Sequence, residues 1–253
     1  MSAGIPFLDA YLNERASHSS GVSFAVAGAT ALPVEILAKR SIIALVTKSS
    51  LSIQLDWMSK HFNETCRNDK DCFKKHKTAL FMIGEFGTND YTYALFEGKT
   101  HEEVKALVPH VVQAIKEAVR RAIDYGAIQL IVPGNLPIGC LPIFLTVFQT
   151  NDTTAYDKFH CLKDLNSLSM YHNHHVQQAI EELQKENPNV IIVYGNYYQA
   201  YQRLLSRAKL LVCSNPDKSL NWDGSQLTQQ AYKFMARWLI HDIYPKLQCN
   251  FST

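Results

Sequence analysis

The sequence has 253 residues, 47% hydrophobic and 19% charged, a composition that excludes a disordered polymer. Lys and Arg number 25 against 23 Asp and Glu, and a formal charge of +2 gives no electrostatic footprint for nucleic acid or an anionic membrane. No apolar run reaches the ~18 residues that a membrane-spanning helix needs.

In chain order, residues 1–20 lack the basic start of a signal peptide, and Asp9 and Asn13 break their apolar stretch. A weak strand run, Val22 to Ala27, ends at Gly28. Cys66 and Cys72 bracket a short polar segment and are the first choice for a bridge among six cysteines, which also include Cys140, Cys161, Cys213 and Cys249. Six reduced, buried thiols are the alternative. The basic stretch Arg67 to Lys77 reads as a solvated loop. Three short apolar runs, Ala79 to Ile83, Ala127 to Val132 and Val190 to Tyr194, do not alternate, so they read as strands covered on both faces.

Helical patterns fill the gaps. Thr100-x-x-Glu103 is a capping box. Behind it Val104, Leu107, Val108, Val111, Ile115, Val119 and Ile123 share a face, Pro109 splits the segment, and Gly126 ends it. Leu162 to Glu186 and Leu227 to Ile243 read as two more helices, the last burying Leu227, Ala231, Phe234, Met235, Trp238 and Leu239. His172, His174 and His175 lie mid-helix without a matching acidic or Cys set, so they read as a solvated face rather than a metal site. Alternating strands and helices without a linker imply one domain over residues 1–253, with a parallel sheet between helices. N-x-S/T sequons at Asn63, Asn151 and Asn250, with the even cysteine count, fit the secretory pathway.

In such sheets ligands bind beyond the carboxyl ends of the strands. Gly28 after a strand frees backbone N–H groups, or simply makes a tight turn. Asn89 after the clearest strand can donate to an oxyanion, or serve a turn. Asp223 can cap the last helix. Phe144, Phe148, Tyr156 and Phe159 suit packing better than a pocket lining.

Taken together, GVSFAVAGATAL (Gly21 to Leu32), IGEFGTND (Ile83 to Asp90), VPGNLPIGC (Val132 to Cys140) and LNWDGSQLT (Leu220 to Thr228) resemble the plant branch of the SGNH, or GDSL, esterase/lipase family, closest to its alkaloid-ester hydrolases of the acetylajmalan esterase kind. The resemblance runs from about Ile5 to Cys249. It implies a flavodoxin-like three-layer α/β/α fold with a parallel sheet, hydrolysis of small-molecule or metabolite esters, no cofactor or metal, and a secreted, extracellular or vacuolar place. In the family a Ser attacks the ester, a His in D-x-x-H takes its proton, the Asp orients the His, and a Gly and an Asn line the oxyanion hole. By position Gly28 and Asn89 match the oxyanion Gly and Asn, and Asp223 matches the orienting Asp.

The departures are chemical. The 253 residues contain no Gly-Asp-Ser triplet, and Gln226 stands at the His position. A Gln amide cannot accept the serine proton as an imidazole does. The resemblance therefore implies an N-terminally incomplete domain without its central first strand, with nucleophile and base both missing. A non-catalytic homologue that binds an ester or modulates an active relative is the alternative. Ser23 stands where the family has Asn, and a shortened stretch after Leu205 leaves Cys213 without its usual partner.

Overall fold

The computed structural model describes residues 7–44, 46–66, 68–207 and 219–247. Cys213, Cys249 and Asn250, and most of the shortened stretch after Leu205, lie outside them. Among the described residues are five strands: β1 (Asp9–Ala10), β2 (Val22–Ser23), β3 (Leu80–Met82), β4 (Gln129–Pro133) and β5 (Ile191–Gly195). The helices are α1 (Val34–Ala38), α2 (Leu51–Thr65), α3 (Asp69–His76), α4 (Thr88–Phe96), α5 (His101–Lys105), α6 (Val108–Asp124), α7 (Pro142–Val147), α8 (Lys163–Glu186), α9 (Tyr197–Arg207) and α10 (Gln229–Ile243).

β3, β4 and β5 form a parallel sheet in that order, and β1 pairs with β2 in a separate parallel pair. Helices around small parallel sheets give the expected α/β class, with the chain order of a three-layer α/β/α fold. β4 is central and buried at every residue. Parallel strands need helical crossovers, supplied by α4 to α6 between β3 and β4 and by α8 between β4 and β5.

The capping box at Thr100 and Glu103 forms, and Pro109 sits in the first turn of α6, where its missing N–H costs nothing. Val108, Val111, Ile115 and Val119 of α6 are at most 3% exposed and join Leu130 of β4 and Leu168, Val176 and Leu183 of α8 in one core. Each such side chain contributes roughly 1.5–3 kcal/mol by leaving water. Ion pairs Lys116–Glu182 and Arg120–Glu186 tie the outer edges of α6 and α8. A Cys66–Cys72 bridge forms, as the spacing suggested, and a second bridge joins Cys140 to Cys161.

Four sequence expectations are corrected. The stretch expected as a loop is helical over most of its described residues: α3 occupies Asp69–His76, started by the Asn68 side chain accepting from the Asp71 N–H at 3.0 Å. The run Val22 to Ala27 forms only two strand residues. β3 is an edge strand, with Leu80 37% and Met82 57% exposed, so continuous apolarity there does not signal cover on both faces. On the last helix Ala231, Met235 and Leu239 are buried, while Phe234 and Trp238 are half-buried beneath Arg207 and Arg203, whose cations sit over the two rings.

Candidate active site

The carboxyl end of β3 leads into α4, and three side chains of α4 hold the loop at residues 28–32. Asn89 Nδ2 donates to the Ala29 carbonyl at 2.8 Å. The Asp90 carboxylate is buried and accepts the Ala31 and Leu32 N–H groups at 2.8 and 3.0 Å. Tyr93 Oη donates to the Gly28 carbonyl at 2.9 Å. Gly28 and Asn89, far apart in sequence, thus share one corner. Asn89 keeps a second amide N–H beyond the one given to Ala29. Gly28 has φ +75°, and a Cβ there would meet Val46 Cγ1 at 2.6 Å and Tyr93 Oη at 3.0 Å, so no larger residue fits.

Burial raises the Asp90 carboxyl to about 7, against the stabilising Leu32 and Ala31 N–H groups. Glu85, also on this turn, is raised to about 6 by burial, while its bond from Thr88 works the other way. Thr88 Oγ1 donates to Glu85 Oε1 at 2.6 Å. With its amide nitrogen assigned by the network, Asn135 faces Glu85 Oε1 at 2.6 Å, the Phe86 carbonyl at 2.9 Å and His172 Nε2 at 3.2 Å. His172 Nδ1 bonds Tyr91 Oη at 2.8 Å. His172 is fully buried, and burial lowers its pKa to about 3. The solvated face expected for His172, His174 and His175 is therefore wrong at His172: it lies on the apolar stripe with Leu168 and Val176, while His174 is exposed and His175 half-buried.

One stripe of α8 reads the backbone after β4. Asn166 Oδ1 accepts from Gly139 N–H (3.0 Å) and Ser169 Oγ from Ile138 N–H (3.3 Å). Asn173 takes both the N–H (2.6 Å) and the carbonyl (3.0 Å) of Asn135. These bonds replace a sheet ladder for a buried segment that has none.

Asp223 and Gln226 sit in a separate turn. Asp223 Oδ1 accepts Ser225 N–H at 3.0 Å, Gln226 N–H at 2.6 Å and Ser225 Oγ at 3.1 Å. These backbone donors lower its pKa, so the carboxylate is a weak base in an exposed turn. It does not cap α10, because Thr228 does, accepting from Ala231 N–H at 3.2 Å. Gln226 Oε1 accepts from Tyr232 Oη at 3.1 Å. The turn is pinned to α7 through Ile143 N–H and the Gly224 carbonyl at 3.0 Å. Among the described residues no hydrogen bond joins it to residues 28–32 or 85–90. Burial first, then Glu85 and Tyr232, push the phenol of the half-buried Tyr197 up to about 12. The buried Phe144 packs on Phe96 and Phe148, as expected of a packing residue.

The sulfurs of Cys66 and Cys72 and a ring nitrogen of His76 lie within 4.8 Å of one another, but the sulfurs are joined in the bridge and offer no thiolate. No helix among the described residues is long and apolar enough to cross a membrane. Asn63 and Asn151 are exposed.

Comparison with known proteins decides the family. Residues 3–239 match the family described as GDSL-like lipase/acylhydrolase. The chain belongs to the GDSL esterase/lipase family. An Arabidopsis thaliana GDSL esterase/lipase is 40% identical over 263 aligned positions, covering 92% of this chain and 80% of the relative. Acetylajmalan esterase 1 of Rauvolfia serpentina is 36% identical, covering 98% of this chain and 73% of that protein, and acetylajmalan esterase 2 is 36% identical with 98% and 76% covered. Within this GDSL chain, Glu85, Asn135, Tyr91 and His172 are the polar groups that motif matching passes over. Two signals were available: a Glu inside the turn after an apolar strand, and a His in register with Leu168 and Val176.

Proposed function

We propose that this GDSL-family chain handles small-molecule or specialised-metabolite esters through the Gly28–Asn89 corner, and that the serine route of ester hydrolysis is impaired in it. The observation that carries the second half is Gln226. Its amide does not titrate, and its oxygen already accepts from Tyr232 at 3.1 Å, so it cannot take a proton from a nucleophile. The 253 residues also hold no Gly-Asp-Ser triplet. Asp223, read as the orienting acid, has no imidazole to orient. Gly28 N–H and the second N–H of Asn89 are read as donors to the carbonyl oxygen of a bound ester. Relatives named acetylajmalan esterases support a metabolite ester of that type as ligand. Fluorophosphonate treatment followed by mass spectrometry tests the reading: no hydroxyl is labelled, whereas an adduct on any Ser would refute it.

A second reading, a non-catalytic homologue that binds such esters or modulates an active relative, is favoured by the bracing of the 28–32 loop by Asn89, Asp90 and Tyr93, which keeps the corner shaped without any chemistry. We place the whole chain in one domain and, from the exposed Asn63 and Asn151 sequons and the two bridges, in the secretory pathway.

A further inference from the structure

The Cys66–Cys72 bridge closes the corner between α2 and α3, with Cys66 at the C-terminal cap of α2 and Cys72 within α3. His76 ends α3 four residues after Cys72, so the two share a helix face. A ring nitrogen of the buried His76 lies within 4.8 Å of both sulfurs. The ring is fixed twice. It packs on Phe62 with centroids 4.0 Å apart, and its Nδ1 meets the Tyr125 carbonyl at 2.6 Å. A carbonyl only accepts, so Nδ1 carries the hydrogen and the lone pair of the neutral ring is on Nε2. A backbone carbonyl on the other ring nitrogen is the common support of a metal-ligating histidine. A surface cavity of about 710 Å³, lined by Cys66, Asn68, Cys72, Asp124 and Tyr125 among others, opens the corner to water and ions. Cys66 is half-buried, whereas Cys140 and Cys161 of the other bridge are both buried, so a reductant reaches the first bridge more readily.

We propose that Cys66, Cys72 and His76 form a redox-gated site for a thiophilic divalent cation of the zinc type, shut while the bridge stands and opened when a dithiol reduces it. In the step, a thiolate of the dithiol attacks one bridge sulfur, the Cys66–Cys72 bond breaks, and the dithiol closes into its own disulfide. Two electrons and two protons pass to the protein, which then holds two thiols. The incoming cation displaces both protons. Two thiolates balance its charge, the imidazole supplies a third ligand, and water from the cavity takes the fourth tetrahedral place. Tetrahedral zinc spaces such S and N ligands roughly 3.5–3.8 Å apart, inside the 4.8 Å span of the three ligand atoms. The cation then holds α2 to α3 in place of the covalent link.

The test is a Zn2+ titration of the whole chain, first with the bridges closed and then after reduction by a phosphine, with alkylation mapping which cysteines have opened. The reduced chain is expected to take up one Zn2+ more than reduced C66S/C72S. Cys213 and Cys249 are common to both proteins, so the difference belongs to the α2–α3 corner. Zn2+ raises the melting temperature of the reduced chain and leaves that of the closed chain unmoved. H76Q, which keeps both thiols, weakens the extra uptake at least about 10-fold. X-ray absorption of the reduced chain with one equivalent of zinc reads sulfur at about 2.3 Å and an imidazole nitrogen at about 2.0–2.1 Å. Equal uptake by reduced wild type and C66S/C72S, undiminished uptake by a folded H76Q, or sulfur ligation without imidazole overturns the proposal. Uptake at the corner with the bridge closed overturns the gate. If H76Q does not fold, the absorption spectrum decides the imidazole alone.

Discussion

Asp90 is a buried carboxylate held by backbone alone. Two N–H groups of the 28–32 loop end on it, and no ion pair involves it among the described residues. Truncation strands both donors, each worth about 1–3 kcal/mol when left unpaired in the interior. D90A is therefore expected to lose about 2–4 kcal/mol in urea unfolding. His172 makes the opposite kind of claim. Its pKa is depressed to about 3, so between that value and the ordinary 6.5 the unfolded chain binds the extra proton and the folded chain does not. Stability linked to His172 is complete above pH 6.5 and is lost as pH falls toward 3. Urea unfolding of wild type and H172Q at pH 7, 6, 5 and 4 separates this from the carboxyls, which are common to both proteins. Below pH 6.5 the wild type should decline relative to H172Q by up to about 1.4 kcal/mol per pH unit. Parallel curves would show that the ring takes up a proton inside the fold.

At the scale of elements, α5 and α6 were legible because the capping box of α5, the proline in the first turn of α6 and one 3.6-residue stripe agree. α8 was legible as a helix but not in its work. Asn166, Ser169, His172 and Asn173 look polar in a string, and only the packing of β4 and its following turn against α8 turns them inward. α3 was hidden by its charges, since a run of Lys and Asp reads as solvent whether or not it is wound. β3 was misread in the other direction, because an apolar run reports affinity for a sheet and not cover on both of its faces. The candidate corner was legible at Gly28 and Asn89, through local motifs, whereas Glu85 and His172 required long-range contacts that motif matching does not see. The contrast between strands is testable. L130A in the fully buried β4 should cost about 2–5 kcal/mol, whereas M82K on β3 should stay within about 0.5 kcal/mol.

At the scale of the molecule, the two bridges act at different ranges. Cys66–Cys72 closes a span of 6 residues between α2 and α3, and Cys140–Cys161 a span of 21 that ties the turn after β4 to the start of α8. By loop entropy the longer bridge contributes about 3 kcal/mol and the shorter about 2. The double variant C140S/C161S should therefore melt lower than C66S/C72S, a ranking that scanning calorimetry checks directly. The uncovered flank of β3 has its own outcome. Main-chain donors and acceptors beside bare Leu80 and Met82 offer a template on which another molecule's extended segment can lie. Concentrated solutions should grow turbid on standing, and a lysine at position 82 should keep them clear.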